Sequence, residues 1–135
     1  MFLVDKVAVQ TAGIERPRED KLLNGREISL FAARTADEKK ATDIVIYDLH
    51  GLTDIADYFV IVTAHSRAQV YAILDTISRE LKARGLHKLG QEGNESGQWV
   101  LLDYGDAVVH IFSPALRKYY ALEGLWGDAP KVKWD

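Results

Sequence analysis

Residues 99–126 read Trp99-Val-Leu-Leu-Asp-Tyr-Gly-Asp-Ala-Val-Val-His-Ile-Phe-Ser-Pro-Ala-Leu-Arg-Lys-Tyr-Tyr-Ala-Leu-Glu-Gly-Leu-Trp126, and they predict a tight β-hairpin running into a short helix. Trp99 to Tyr104 forms one strand, Gly105-Asp106 is a two-residue turn signal, and Ala107 to Phe112 is the returning strand. Ser113 supplies a helix N-cap and Pro114 the first helical position; the helix is expected to fade near Gly124. Because strand side chains alternate, Trp99, Leu101 and Asp103 share one face, while Val100, Leu102 and Tyr104 share the other. Trp99 fits either the core or the aromatic anchor of an interface, and the pattern alone leans toward core. His110 lies mid-strand among Val108, Val109, Ile111 and Phe112. A lone histidine there is ordinarily a satisfied core group, and a site residue only if its face is exposed. Arg117, Tyr120 and Glu123 recur at helical spacing, for which an Arg–Glu pair bracing one helix is the plain explanation. The stretch is dense in recognition-type side chains and holds no complete catalytic device. It reads as a surface for binding another macromolecule.

The rest of the domain extends from this hairpin. Asp43 to Asp48 and Asp57 to Thr63 are apolar, β-branched runs that suit strands buried on both faces. Their connection is too short for a parallel crossover, so as neighbours they pair antiparallel. Ser66, followed by Gln69, opens the clearest helix, with Val70, Ile73, Leu74, Ile77 and Leu81 forming one apolar stripe and Gly85 ending it. Leu86 to Gln91 reads as a short strand, making a right-handed βαβ unit. The expectation is a single α/β domain with a mixed five-stranded sheet and flanking helices. Residues 1–34 read as a flexible N-terminal extension, with Asn24-Gly25 as a turn signal; Thr35 and Glu38 form a capping box for a short helix to about Ala41. The domain itself spans 35–126, and 127–135 form a tail.

Composition narrows the function classes. A chain of 135 residues with 47% hydrophobic and 27% charged side chains fits one ordinary globular domain. It has no cysteine, which excludes disulfides, thiolate metal sites and cysteine nucleophiles. No apolar run is long enough to span a bilayer, and the N-terminus matches neither a secretory nor a transit signal; the expected setting is cytoplasmic, without a membrane. The net charge is −3, with the acidic excess after residue 40, a balance poorly suited to a polyphosphate and explained equally by a basic protein partner or by the maintenance of solubility. His50, His65, His87 and His110 are scattered without metal-ligand spacing. There is no dinucleotide fingerprint or P-loop, and Gly90-Gln-Glu-Gly93 is too short to cradle phosphate. Asp54 with Asp57, and Asp103 with Asp106, lack the spacing that puts two carboxylates on one strand face for two-metal chemistry. No serine sits in a nucleophile elbow. No cofactor and no enzymatic activity are expected; the alternative is a nucleotidyl- or phosphotransferase acting through Asp54, Asp57 or Asp103.

Several motifs together resemble the ribosomal silencing factor (Iojap) family. They are Asp57-Tyr-Phe-Val-Ile, the Ser66 helix start, Gly85-Leu86, Glu92-Gly93, Trp99-Val-Leu-Leu-Asp-Tyr-Gly-Asp106, Val109-His-Ile-Phe112 and Arg117-x-Tyr-Tyr-x-Leu-Glu-x-Leu-Trp126. The likeness covers about residues 36–130. It implies a scaffold similar to a degenerate nucleotidyltransferase fold. It also implies docking on ribosomal protein uL14 of the large subunit, steric blocking of small-subunit joining, a homodimer, and a part in large-subunit maturation. On this likeness Trp99 is the leading candidate for contact with uL14, with Leu101, Asp103, His110 and Tyr120 as weaker candidates.

Overall fold

A computed structural model describes residues 23–135; the greater part of the expected N-terminal extension lies outside the described residues. Its first element corrects the sequence reading. Helix α1 spans Gly25–Glu38, beginning ten residues before the expected start at Thr35. Asn24 is the N-cap: the Glu27 amide donates to Asn24 Oδ1 at 2.8 Å and the Asn24 amide donates to Glu27 Oε1 at 3.0 Å, a reciprocal capping box built on asparagine. Thr35 is buried inside this helix, and Lys40, at φ 71°, is already past its end. Gly25 makes no turn. A Cβ there would lie 2.7 Å from Asp106 Cβ, so the glycine lets the first turn of α1 abut the hairpin loop. Ile28, Ala32, Ala33 and Ala36 form the buried stripe of α1.

The sheet contains β1 (Thr42–Asp48), β2 (Tyr58–Thr63), β3 (Gly90–Gly93), β4 (Trp99–Asp103) and β5 (Ala107–Phe112). Its spatial order is β1-β2-β5-β4-β3. β1 pairs antiparallel with β2, as its short connection requires, and β4 pairs antiparallel with β5, with Trp99 opposite Phe112 and Leu101 opposite His110. Helix α2, Arg67–Ala83, is capped by the Ser66 hydroxyl at 3.0 Å from the Gln69 amide, and its buried stripe is the expected one.

Two strand expectations change. β1 is not buried on both faces: Thr42 and Asp43 are exposed, and Ile46 and Tyr47 are its buried residues. It is an edge strand. The C-terminal segment shields that edge, with a bridge between Tyr47 and Lys131, and bonds from the Asp48 amide to the Pro130 carbonyl and the Val132 amide to the Ile46 carbonyl. β3 begins later than expected and does not pair with β2. It pairs antiparallel with β4, while β2 pairs in parallel with β5. Every residue of β2, β4 and β5 is buried, whereas β3 alternates partly buried and exposed positions. The apolar strands take the centre and the polar one takes the edge.

Both faces of the sheet are covered. Ile46, Val60, Val62, Val100, Leu102, Val109 and Ile111 pack with α1 and α2 in one core cluster. On the other face, Tyr47, Phe59, Ile61, Trp99, Leu101, Val108 and Phe112 pack with Leu122 and Ala129 in a second. Helices α3 (Pro114–Tyr120) and α4 (Leu122–Trp126) begin directly after β5. The single helix expected here is broken at Ala121, which sits at φ 49°.

Candidate functional site

The hairpin places Trp99, Leu101, Asp103 and His110 on the sheet face that bears α3 and α4, because these positions share strand parity and register. None of the four is exposed: Trp99 retains 5% of its surface, and Leu101, Asp103 and His110 retain none. Tyr120, on α3, is half-buried. The rings form a continuous path. Trp99 and Tyr120 have centroids 6.2 Å apart, Tyr120 and Phe112 5.9 Å, Phe112 and His110 5.7 Å in a parallel stack, His110 and Phe59 4.9 Å, and Phe59 and Trp126 6.0 Å. The structure thus brings Trp99, Leu101, His110 and Tyr120 together as a packed aromatic floor. Asp103 is nearer the turn, where its Oδ1 accepts the Gly105 amide at 2.8 Å, as a turn-forming aspartate does.

His110 is the unusual member. Among the described residues neither ring nitrogen has a hydrogen-bond partner, and the same holds for the indole nitrogens of Trp99 and Trp126. Burial alone pushes the His110 pKa down to about 3, because the imidazolium loses its hydration. The residue is therefore neutral at physiological pH. It is not the satisfied core histidine that its sequence context implies.

Arg117 fixes the cap to the sheet. Its Nε donates to Glu123 Oε1 at 2.9 Å, and its Nη1 donates to Thr63 Oγ1 at 2.9 Å and to the Asp43 carbonyl. The expected Arg–Glu pair exists, but it spans the break at Ala121 and ties two helices to β1 and β2. Outside this brace, Tyr119 is 78% exposed and stacks edge-on against Tyr120 at 5.2 Å, and Leu125 on α4 is 47% exposed. Sequence reasoning missed both: Tyr119 lies off the α3 face that Leu116 and Tyr120 turn to the sheet, and Leu125 lies beyond the break at Ala121, which carries no glycine or proline signal.

At the far end of β1, His50 Nδ1 lies 2.6 Å from Asp48 Oδ1 and its Nε2 lies 3.5 Å from Asp57 Oδ2. The hydrogen bond with Asp48 raises the His50 pKa above its ordinary value, and the His50 amide lowers that of Asp48. Among the described residues, no group of three or more His, Cys, Asp or Glu is placed to hold a metal ion. No helix is long and apolar enough to cross a membrane among those residues.

Residues 24–135 match the family profile described as "Ribosomal silencing factor during starvation". The chain belongs to the ribosomal silencing factor family. It is 42% identical over 113 residues to Ribosomal silencing factor RsfS of Bacillus subtilis, covering 84% of this chain and 96% of that protein. It is 30% identical over 92 residues to Mitochondrial assembly of ribosomal large subunit protein 1 of Mus musculus, covering 66% of this chain and 40% of that protein. A crystal structure of a Chromobacterium violaceum protein superimposes with a TM-score of 0.73 at 40% identity, covering 78% of this chain and 88% of that one. The silencing-factor match includes α1, so this helix belongs to the family domain rather than to the extension.

Proposed function

We propose that this chain binds ribosomal protein uL14 on the large ribosomal subunit and keeps the small subunit away by occupying its approach. Inhibition by occupied volume needs interface affinity and no chemistry. The observation that carries this reading is the exposed Tyr119 on a cap whose Leu122 is buried and whose Leu116, Tyr120 and Trp126 are partly buried against the sheet. Tyrosine is among the side chains enriched at interface hot spots. In this proposal Trp99, Leu101, His110 and Tyr120 act as the floor that fixes the cap, Asp103 shapes the hairpin end, and Tyr119 and Leu125 make the outermost contacts. A chain of net charge −3 complements a basic ribosomal protein. A cytoplasmic homodimer that represses translation belongs to the same proposal.

The test is binding of purified uL14 to the immobilised chain. Tyr119→Ala with Leu125→Ala should weaken binding at least tenfold while the urea midpoint stays unchanged, since both side chains are exposed. Unaltered affinity in that variant, or large-subunit binding without uL14 binding, would refute the docking assignment. The name of the mouse relative favours a second reading, large-subunit assembly. An assembly factor alone would leave the joining of finished subunits unaffected.

A further inference from the structure

The acidic total conceals a local reversal. Residues 79–88, Arg79-Glu-Leu-Lys-Ala-Arg-Gly-Leu-His-Lys88, hold four Lys+Arg and one Asp+Glu in a chain whose net charge is −3. They form the end of α2 and the loop leading to β3. Arg79, Lys82, His87 and Lys88 are exposed there and line a groove of about 660 Å3, together with Asp75 and the buried Leu86 and Tyr104.

The local geometry gathers these cations. Arg79 and Lys82, three residues apart, leave α2 on one side. Gly85, at φ 86°, reverses the chain, and Lys88 returns with its Nζ 3.4 Å from Ser78 Oγ and 2.6 Å from Gln91 Oε1. Lys88 is thus oriented by neutral acceptors. Among the described residues, the ion pairs are those of His50 with Asp48 and Asp57 and of Arg117 with Glu123, so Arg79, Lys82 and Lys88 form no ion pair there and outnumber the one carboxylate lining the groove, that of Asp75. Arg84 is committed elsewhere, over the Phe31 ring at 4.7 Å. The exposed large apolar residues Leu52, Tyr119 and Leu125 are not among the residues lining this groove. It therefore offers no exposed hydrophobic anchor for a protein partner and, His87 apart, no exposed ring on which an unpaired base could stack. A cationic, hydroxyl-bearing concavity without such features matches a sugar–phosphate track.

We infer that this groove seats the phosphate backbone of an RNA duplex, recognised by charge and shape rather than sequence. The inference rests on the large-subunit reading for its biological setting, but its chemistry stands apart from uL14 docking. Net charge argues against polyanion binding only if charge is spread evenly, and here it is not.

The test is fluorescence anisotropy of a short labelled RNA duplex of arbitrary sequence with the full chain and with its Arg79→Gln, Lys82→Gln, Lys88→Gln triple variant. The wild-type chain should bind the duplex with affinity that falls steeply with salt. The variant should bind at least tenfold more weakly at low salt. Its log–log salt slope should be shallower by about 2–3, the loss of three phosphate contacts. Its affinity for isolated uL14 should not change. No wild-type binding at low salt, equal binding by the variant, or equal binding of a polyglutamate peptide and the duplex would overturn the inference. Retained RNA binding with lost uL14 binding would instead overturn the docking reading alone.

Discussion

His110→Phe separates a histidine buried without partners from one that is merely surrounded by apolar groups. The wild-type imidazole has a pKa of about 3 in the folded chain against about 6.5 when unfolded. The folded value is the lower one, so the unfolded chain takes up the proton first as pH falls. The stability contributed by keeping this group neutral is fully present above about pH 6.5. It is lost progressively toward pH 3, at up to about 1.4 kcal/mol per pH unit. Integrated from pH 6.5 to 4.5, the loss from this one group is about 2 kcal/mol. Phenylalanine cannot titrate, and it keeps the ring contacts to Phe59 at 4.9 Å and Phe112 at 5.7 Å. Urea unfolding at the two pH values for both proteins gives the result as a difference of differences, in which any packing change common to both pH values cancels. The variant should lose about 2 kcal/mol less than wild type over this interval. An equal loss in both proteins would show that His110 is hydrated or hydrogen-bonded in the folded state, and the reasoning from burial would fail.

Trp99→Ala should destabilise the fold by about 3–5 kcal/mol, and Trp99→Phe by much less, as read from urea midpoints; an unchanged midpoint for the alanine variant would contradict the burial of this side chain. Arg117→Leu breaks contacts to Glu123, Thr63 and the Asp43 carbonyl at once and should cost about 1–3 kcal/mol, with faster amide exchange confined mainly to α3 and α4. Asn24→Ala should cost about 1 kcal/mol and speed exchange of the first amides of α1; the absence of any effect would place the start of the folded region later in the chain.

Local patterns made much of this architecture legible. The stripe from Val70 to Leu81 and the Ser66 and Gly85 boundaries define α2 without reference to any neighbour. The alternation through Trp99 to Tyr104 assigns both faces of β4 correctly. What the chain order hides is non-local. Nothing between Leu86 and Gly93 says that β3 pairs with β4 instead of β2, because that choice depends on which strands most need a central position. The start of α1 has a readable signal in Asn24-x-x-Glu27 and in the Ile28, Ala32 and Ala36 spacing; asparagine before glycine fits a turn as well as a cap, and here it is the cap. The candidate site divides along the same line. Residues 99, 101, 103 and 110 share one face, as strand parity requires, but that face is covered by a cap broken at Ala121 and bridged by Arg117 and Glu123, which chain order does not show.

Sedimentation of ribosomal subunits on sucrose gradients at rising concentrations of the purified chain addresses the steric proposal most directly. Joined ribosomes should give way to free subunits, with the protein travelling in the large-subunit peak and the Tyr119→Ala, Leu125→Ala variant losing both effects. Undiminished joining while the large subunit is saturated with the chain would contradict exclusion by occupied volume.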